Sequence, residues 1–392
     1  GKPKIRFKGY NEDWEQRKLG EIADKAVDNR GKTPFISKEG THPLLEVASL
    51  GSGAPDYSKV TKYLSDETFK TELRAYIKEG DILFSTVGSI GLVSFMDTNE
   101  NAAIAQNIVA FRANESYDSK FLYAMLSTEE NQYKAQRIVM GAVQPSIKVS
   151  QLVDVEYFVT ENIAEQRKLG EYFLNLDHLI TLHQHKCDEM KKLKKYMLQK
   201  MFPQNGKKVP EIRFDGFTND WEQRKLGEVV EFLDTMRKPL EGAKRISGPY
   251  PYYGASGIVD YVDGYLFDEE LILLSEDGAN ITDRNYPVCF LASGKYWVNN
   301  HAHVLKTKEG NENNFICNSL ERKDYKQYNT GMAMPKLNQE VCKGIPISCP
   351  TFAEQKKIGD YFRRLDHLIT LHQHKCDELQ NLKKYMLQNM FV

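Results

Sequence analysis

The sequence of 392 residues lacks the long hydrophobic runs of membrane-spanning proteins and the paired cysteines of disulfide-rich secreted proteins. Apolar stretches such as Leu271-Ile272-Leu273-Leu274 are far shorter than the roughly 20 residues that a membrane-spanning helix needs. The six cysteines are scattered, form no Cys-x-x-Cys pair and follow no export signal. We therefore expect free thiols, a reducing cytoplasmic location and no membrane partner.

Motifs of the frequent catalytic classes are also missing. The chain has no Gly-rich phosphate loop ending in Lys-Ser/Thr and no Gly-x-Ser-x-Gly turn. It has no Asn/Asp-Pro-Pro-aromatic run either, so we do not expect base methylation by this chain. Strong positive charge is absent too: 53 basic and 54 acidic residues give a net charge of −1. Since nucleic-acid binders are usually basic, such a role would need local basic clusters or the positive surface of a partner.

What the sequence does contain is a pair of internal repeats. The segment Ile5–Ile22 recurs as Ile212–Val229, and the segment Ala164–Phe202 recurs as Ala353–Phe391 with 30 of 39 positions identical. The blocks between the repeats share little sequence and differ in length by 18 residues. The chain therefore alternates between like and unlike segments, as expected for two copies of one unit with different globular domains.

The repeats predict an α+β fold with two mixed α/β globular domains, which we call the first head and the second head. Strand-like runs occur at 81–85, 108–111 and 271–275, and an amphipathic helix is plausible at 120–137. The predicted order is the first head at 1–163, a conserved helix at 164–202, a linker at 203–211, the second head at 212–352 and a second conserved helix at 353–392.

Each long repeat is predicted to be one helix, because apolar or small residues recur at 4-3-4-3 spacing with Lys194 as the clear break. Such a seam needs a partner helix. The other copy is favoured over a helix from another chain, since intramolecular pairing loses no translational freedom. The predicted seam comprises Leu169, Phe173, Leu176, Ile180, His183 and Cys187 in the first copy, and Ile358, Phe362, Leu365, Ile369, His372 and Cys376 in the second.

A two-fold relation between the units would make the two helices an antiparallel coiled coil with pseudo-two-fold symmetry. Each seam has 32 steps and would be about 48 Å long, whereas one turn of duplex DNA is about 34 Å. A coiled coil of this length could hold two heads over successive turns of DNA.

The centre of each helix carries His-Gln-His-Lys-Cys-Asp, at 183–188 and 372–377. Antiparallel pairing would place His183 opposite Cys376 and Cys187 opposite His372, which makes a His2Cys2 zinc site conceivable. We favour polar layers that fix the register, and therefore no metal. The pair His301 and His303 shares a strand face, but no third ligand is near in sequence, so a surface or ligand-contact role is favoured.

Polar, turn-rich segments in the unlike blocks supply the candidate DNA-binding residues. Asn, Gln, Arg, Ser and Thr side chains can read base edges, and Lys and Arg also bind phosphates. The segments containing Arg30–Thr33 and Arg237–Lys238 follow the first repeat in equivalent places. The candidates are Arg30, Lys32, Thr33, Ser85, Thr86, Ser89, Gln106, Asn107, Gln144, Ser146 and Lys148 in the first head, and Arg237, Lys238, Lys244, Arg245, Tyr252, Tyr253, Asn280, Asn299, Asn300, His301 and Lys336 in the second.

Together these motifs resemble the specificity subunits of type I restriction-modification systems. The resemblance rests on Trp-Glu-Gln-Arg-Lys-Leu-Gly-Glu at 14–21 and again at 221–228, and on the Ala-Glu-Gln helix openings at 164 and 353. The segments 80–85 and 144–147 are similar to the family as well. The second head departs from the pattern, because Asp268-Glu269-Glu270 stands where the first head has Gly-Asp.

The resemblance implies a non-catalytic subunit in which each head, a target recognition domain, reads one half of an asymmetric bipartite site in double-stranded DNA. It implies that the helices set the gap and bind two modification subunits, which two restriction subunits then join. S-adenosylmethionine, ATP and magnesium would belong to these partners, and no cofactor to this chain. Two alternatives are a scaffold whose heads bind proteins and a metal-dependent enzyme at the central His/Cys layers.

Overall fold

The computed structural model describes residues 1–29, 34–98, 101–141, 145–204 and 206–392. The chain divides into two compact units. The first unit comprises Gly1–His185 together with Gln373–Val392, and the second comprises Lys186–His372. Each unit therefore contains one head and a part of each long helix.

The first unit begins with a mixed α/β head and continues into a long helix. Its elements are β1 (Glu15–Lys18), α1 (Leu19–Ile22), β2 (Ala23–Asp28), β3 (His42–Leu45), β4 (Tyr63–Leu64), α2 (Asp66–Thr71), β5 (Ile82–Ser85), β6 (Val93–Phe95), β7 (Ala103–Ile104), β8 (Ile108–Ala113), α3 (Ser119–Leu126), α4 (Glu129–Gln136), α5 (Val149–Leu152), β9 (Glu156–Val159) and α6 (Ile163–Lys200), whose later residues belong to the second unit.

The second head begins and ends with the same kinds of element as the first, but the elements between them differ. Its elements are β10 (Glu222–Lys225), α7 (Leu226–Val229), β11 (Val230–Phe232), β12 (Ser247–Gly254), β13 (Gly257–Val262), β14 (Phe267–Asp268), β15 (Leu271–Ser275), α8 (Asn280–Asp283), β16 (Cys289–Ala292), β17 (Lys295–Val298), β18 (Ala302–Thr307), α9 (Asn313–Glu321), α10 (Gln339–Lys343), β19 (Pro346–Cys349) and α11 (Phe352–Met390), whose last residues belong to the first unit.

The main sheet of each head has the same antiparallel topology. Its order is β2-β8-β5-β6 in the first head and β11-β18-β15-β16 in the second. The central strands β5 and β15 are buried along their whole length, as their continuous apolar runs require. A second sheet differs between the heads, with order β4-β3-β7 in the first and β13-β12-β17-β14 in the second. The predicted strands at 81–85, 108–111 and 271–275 are therefore confirmed.

The helix predicted at 120–137 is two helices, α3 and α4. The break lies at Ser127 and Thr128, and the hydroxyl of Thr128 accepts a hydrogen bond from the backbone N–H of Asn131. Thr128 is thus the N-cap of α4. All residues of α3 from Phe121 to Leu126 are buried, so the apolar residues form a continuous run up to the break. Hydrophobic periodicity therefore does not indicate where one helix ends and the next begins.

Within each unit, α6 and α11 run antiparallel. In the first unit, Asp177 pairs with Lys383 and the Cys376 sulfur lies 4.0 Å from the Ile180 carbonyl oxygen. In the second, Lys194 pairs with Asp366, and the Cys187 sulfur lies 3.8 Å from the Ile369 carbonyl oxygen. Pairing of the two copies is therefore confirmed in each unit. Of the predicted seam, eight residues are buried and four are half-buried (Ile180, His183, Ile369 and His372).

The heads share these cores with the helices. In the first unit, the Phe391 ring lies 5.7 Å from the Trp14 ring and 5.8 Å from the Phe121 ring, centroid to centroid. In the second, the Phe202 ring lies 6.0 Å from the Trp221 ring and 5.4 Å from the Phe315 ring. The seam residues Phe173 and Phe362 belong to the same two cores. The seam therefore packs on a head as well as on its partner helix, which the heptad pattern does not indicate.

The two sequence repeats meet at one buried ion pair in each unit. Arg6 donates two hydrogen bonds, of 2.6 and 2.8 Å, to the carboxylate of Glu165. Arg213 does the same to Glu354, at 2.7 and 2.8 Å. Both carboxylates are buried, and the hydrogen bond to Glu165 raises the pKa of Arg6. This contact gives a physical reason why both repeats occur in each copy, because it joins the start of a head to the start of a helix.

Candidate nucleic-acid interface

Each head carries the same backbone frame at the end of its central strand. In the first head, the Thr86 N–H donates to the Asn107 carbonyl, and the Thr86 carbonyl accepts from the Ile147 N–H, both at 2.9 Å. In the second, Glu276 makes the same two bonds, with His301 at 2.9 Å and Leu337 at 2.7 Å.

One further pair completes the frame. Val87 forms a β-bridge with Ser146 in the first head, and Asp277 forms one with Lys336 in the second. The frame therefore equates Thr86 with Glu276, Val87 with Asp277, Asn107 with His301 and Ser146 with Lys336.

In the first head, this frame borders a cleft of about 550 Å³. Gln106 and Lys148 are exposed there, and Asn107 and Ser146 are half-buried. Four predicted residues are thus brought together. The cleft is lined by Pro34, Ile36, Leu44, Glu46, Lys62, Val87, Ala105, Gln106, Asn107, Ser146, Ile147 and Lys148.

The side-chain carbonyl of Asn107 lacks a hydrogen-bond donor in the described part of this cleft. Its Oδ1 atom is buried, and among the described residues no group donates a hydrogen bond to it. A buried carbonyl oxygen of this kind costs free energy until a donor reaches it. The exocyclic amino group of an adenine or cytosine is a donor of the right type.

Ser85 and Thr86 have internal roles, which corrects the expectation that they reach DNA directly. Both side chains are fully buried. The Ser85 hydroxyl donates to the Ser89 carbonyl at 2.6 Å and accepts from the Leu92 N–H at 2.8 Å. The Thr86 hydroxyl donates to the Asn107 carbonyl at 3.2 Å. They hold the turn, and the exposed residue of the three predicted in this segment is Ser89.

The equivalent positions of the second head carry ionisable side chains. The His301 Nδ1 atom lies 2.9 Å from the Asp277 carboxylate, and the imidazole is half exposed. The Lys336 ammonium lies 3.4 Å from the Glu276 carboxylate and is also half exposed. Exposed amides flank both sites, at Gln106 and at Asn300. The frame is thus shared while its side chains are different.

A buried ionic cluster supports the second site. Asp234, Glu276 and His303 form the one group of three metal-capable side chains that the described part of the chain contains. Arg237 already supplies a cation there, 2.7 Å from Glu276 and 3.3 Å from Asp234. The buried His303 ring lies 2.6 Å from the Asp234 carboxylate and 2.8 Å from the Leu337 carbonyl oxygen.

This cluster changes two predictions. The predicted DNA contact Arg237 is directed inward by its two carboxylates and by the Ala302 carbonyl at 2.7 Å, so it positions the site. His301 and His303 also differ, since His301 is exposed and His303 is buried.

The other predicted residues of the second head are spread over its second sheet and neighbouring loops. Tyr252 is buried and accepts a hydrogen bond from the Leu240 N–H, so its expected DNA contact is replaced by a packing role. Arg245 lies over the Tyr252 ring.

The remaining candidates of the second head have separate environments. Burial raises the pKa of Tyr253. Asn280 bonds to the backbone of Tyr286, Asn299 is buried and accepts from the His301 N–H, and Lys238 is exposed.

Some predictions lie outside the described residues. These are Arg30, Lys32, Thr33 and Gln144, and the side chain of Lys244. Sequence reasoning missed the acidic side chains Glu46, Glu276 and Asp277, because it searched for amides, hydroxyls and cations. The signal that could have found Glu276 and Asp277 is their place directly after the buried strand β15, which matches the place of Thr86 and Val87 after β5.

The helix centres bring no three metal-capable side chains within 4.8 Å of one another among the described residues. The sulfur of Cys376 lies 3.7 Å from the Gln184 Oε1 atom and 3.5 Å from the Gln380 Nε2 atom. All six cysteines are buried, and no disulfide joins any two of them. Over the same described ranges, we find no helix with the length and apolar character needed to cross a membrane.

Comparison with known proteins agrees with this architecture. A putative type I restriction enzyme specificity subunit of Haemophilus influenzae, S.HindORF215P, is 35% identical over 154 residues, which are 39% of each chain. The putative type I restriction enzyme MjaX specificity subunit of Methanocaldococcus jannaschii is 24% identical over 403 residues, covering 96% of this chain and 92% of the relative. The crystal structure of a type I restriction-modification S subunit from M. genitalium matches 100% of this chain and 99% of its own at 17% identity, with a TM-score of 0.74, which shows a common fold.

The family match itself covers both copies of the repeated unit. Residues 11–192 and 218–381 match the family described as the type I restriction modification DNA specificity domain. The two matched regions make up most of the 392 residues, and each contains one head with the greater part of its helix. The resemblance seen in the sequence is thereby confirmed, and the chain belongs to the type I restriction-modification DNA specificity family.

Proposed function

We propose that this chain selects the DNA target of a type I restriction-modification complex. Each head reads one half of a bipartite site in double-stranded DNA, and the two halves have different sequences. The observation that carries the proposal is the shared frame at the ends of β5 and β15, which holds unlike side chains in the two heads. A common frame supports a common task, and unlike side chains support unlike targets.

The side chains suggest how the half-sites differ. Gln106 and Asn107 offer amide groups, which suit the hydrogen-bonding edge of adenine. Their equivalents, Asn300 and His301, add an imidazole held by Asp277. Lys148 and Lys336 are exposed cations beside the two frames and suit phosphates or guanine. The first head therefore reads its half-site through neutral amides.

Partner binding is supported by a second repeated feature. The first unit exposes Leu179, Leu182, Leu382 and Tyr385, and the second exposes their equivalents Leu368, Leu371, Leu193 and Tyr196. Exposed apolar residues on helix faces mark contact surfaces. Because the two sets are chemically identical, we propose that each binds one copy of the same modification subunit. Two restriction subunits complete the complex, and the partners bind S-adenosylmethionine, ATP and magnesium and carry out the reactions.

The helices are proposed to set the gap between the half-sites. Inserting seven residues after Gln184 in α6 and after Gln373 in α11 keeps the apolar seam in phase and adds about 10 Å of helix. The preferred gap should lengthen by about three base pairs. An unchanged gap would show that the helices do not set the spacing.

The central experiment is methylation mapping of cells that express this chain with its modification subunits, followed by footprinting of the purified complex on the mapped target. We expect two short specified sequences separated by an unspecified gap. Protection of one uninterrupted site would refute the proposal. A scaffold whose heads bind proteins would lack the steep loss of DNA affinity with salt that phosphate contacts produce.

A further inference from the structure

A short loop of the second head presents two methionines to solvent. It joins Asn329 to Lys336, and within it Met332 is fully exposed and Met334 is 60% exposed. Ala333 between them is exposed as well. The exposed apolar side chains of this tip do not contribute to the core of their own unit, so we expect them to contact a binding partner.

The loop is closed by hydrogen bonds at its base. The Asn329 Oδ1 atom accepts from the Gly331 N–H and the Lys336 N–H, both at 2.9 Å. The Thr330 N–H and hydroxyl both donate to the Lys336 carbonyl, at 2.8 and 3.1 Å. A side chain at Gly331 would collide with the Met334 carbonyl oxygen. The base of the loop, which carries the tip, is therefore held by four hydrogen bonds.

The loop emerges directly from the candidate DNA site. Its last residue, Lys336, forms the β-bridge with Asp277, whose carboxylate holds His301. The preceding residue, Pro335, accepts a hydrogen bond of 3.0 Å from the Gly278 N–H. The methionines thus stand beside an exposed ammonium and an exposed imidazole.

We propose that Met332 and Met334 form an apolar wedge that enters a base step in the half-site read by the second head. Apolar side chains inserted between bases unstack them and kink the duplex, and methionine is one of the residues that does this. A loop with a hydrogen-bonded base suits this task, because less backbone entropy is lost when the tip inserts. The neighbouring Lys336 ammonium holds a phosphate beside the opened step.

The first head has no such tip in its sequence. The frame equates Lys336 with Ser146. The Thr330 N–H donates to the Lys336 carbonyl as the Met140 N–H donates to the Ser146 carbonyl, so Thr330 matches Met140. Counting from these pairs, Ala142 and Gln144 stand in the sequence where the second head has Met332 and Met334. Both of these residues lie outside the described part of the chain. The wedge therefore distinguishes the two half-sites, and it rests on the DNA recognition proposed above.

The test uses the full chain in complex with its modification subunits and duplexes that carry the mapped target. 2-Aminopurine, whose fluorescence rises when it is unstacked, is placed in turn at each step of both half-sites. The wild-type complex is compared with the double variant Met332→Ala, Met334→Ala and with the control Tyr133→Ala, which removes an exposed side chain from α4 of the first head, outside the DNA site.

Besides the rise at the base that each modification subunit extrudes for methylation, we expect a rise at one further step in one half-site. The double variant should lose this further rise and the control should keep it, and affinity for the target should fall about tenfold in the double variant. Equal fluorescence at every step in wild type and double variant would overturn the wedge, while gapped binding by both would leave DNA recognition intact. A wild-type complex that binds no gapped target would refute DNA recognition itself, and the wedge with it.

Discussion

The Lys383 ammonium lies 2.5 Å from the Asp177 carboxylate, and both groups are buried in the first unit. Tyr123 also donates a hydrogen bond of 2.8 Å to this carboxylate. The equivalent pair of the second unit, Lys194 and Asp366, is 2.6 Å apart, but its side chains are 24% and 43% exposed. The lysine that interrupts the heptad pattern in each helix is therefore the partner of an aspartate on the facing helix.

This difference in burial gives the first prediction. Lys383→Met should lower the free energy of unfolding by about 3–5 kcal/mol, because it leaves the buried Asp177 carboxylate without its cation. Lys194→Met should cost less than about 1 kcal/mol, because water can solvate Asp366. Urea unfolding of the two variants measures both values. Equal losses would contradict the assignment of a buried pair to the first unit alone.

The junction between the repeats gives the second prediction. Arg6→Lys should destabilise the first unit by about 1–3 kcal/mol, because a lysine cannot form the two parallel hydrogen bonds that Glu165 receives. Arg17→Lys is the matched control, since Arg17 is more exposed and its partners Glu15 and Glu161 are solvated. Hydrogen exchange in α1 and at the start of α6 should rise in the first variant and stay unchanged in the control.

Lys323 gives a prediction about pH. Burial lowers the pKa of Lys323 to about 8, from an ordinary value of 10.5. Folding therefore disfavours the charged form of Lys323, and this lowers the free energy of unfolding by its full amount below about pH 8. The loss disappears as the pH rises from about 8 towards 10.5, because the unfolded chain then also loses the proton. The contribution of this residue to stability should rise with pH over that interval.

The variant Lys323→Met should be more stable than wild type at pH 7, and this advantage should shrink at pH 10. Lys326→Met, which replaces an exposed lysine three residues away, should change stability little at either pH. Denaturant titrations at the two pH values measure the difference. An advantage for Lys323→Met that grows with pH would show that the lysine is not penalised by burial.

The cations beside the two frames give a prediction about DNA. Lys148→Ala and Lys336→Ala should each weaken binding to the mapped target by about 1–3 kcal/mol if the lysine contacts a base, with relaxed specificity in one half-site only. If the lysine contacts a phosphate instead, its removal should reduce the slope of the logarithm of the binding constant against the logarithm of salt concentration by about one. Competition with targets altered in either half separates the two variants. Identical effects of both on the same half-site would contradict the assignment of one frame to each half.

Sequence reasoning predicted the repeated architecture well because it depends on two strong signals. The 30 identical positions of the long repeat and its heptad spacing indicate two equivalent helices that need a partner, and Asp177–Lys383 and Lys194–Asp366 show the antiparallel pairing. Periodicity could not indicate that Phe173 and Phe362 also pack on the heads, because this contact depends on tertiary structure.

The candidate site was predicted less completely. Gln106, Asn107, Ser146 and Lys148 come together at one cleft, but residue type alone could not separate exposed side chains from buried ones. Ser85 and Tyr252 have the chemistry of base contacts and are nevertheless committed to internal hydrogen bonds. Glu276 and Asp277 were missed because acidic residues were not expected at a DNA surface.

The core of the first unit includes Met390 and Phe391, whereas the second unit is one continuous stretch, Lys186–His372. During synthesis, the second unit can therefore complete its core while the first head, although made earlier, still awaits its last aromatic side chain. Removal of the final three residues should accordingly damage the head that is far from them in sequence and spare the adjacent one. In this chain we therefore expect the unit whose synthesis begins first to complete its core last.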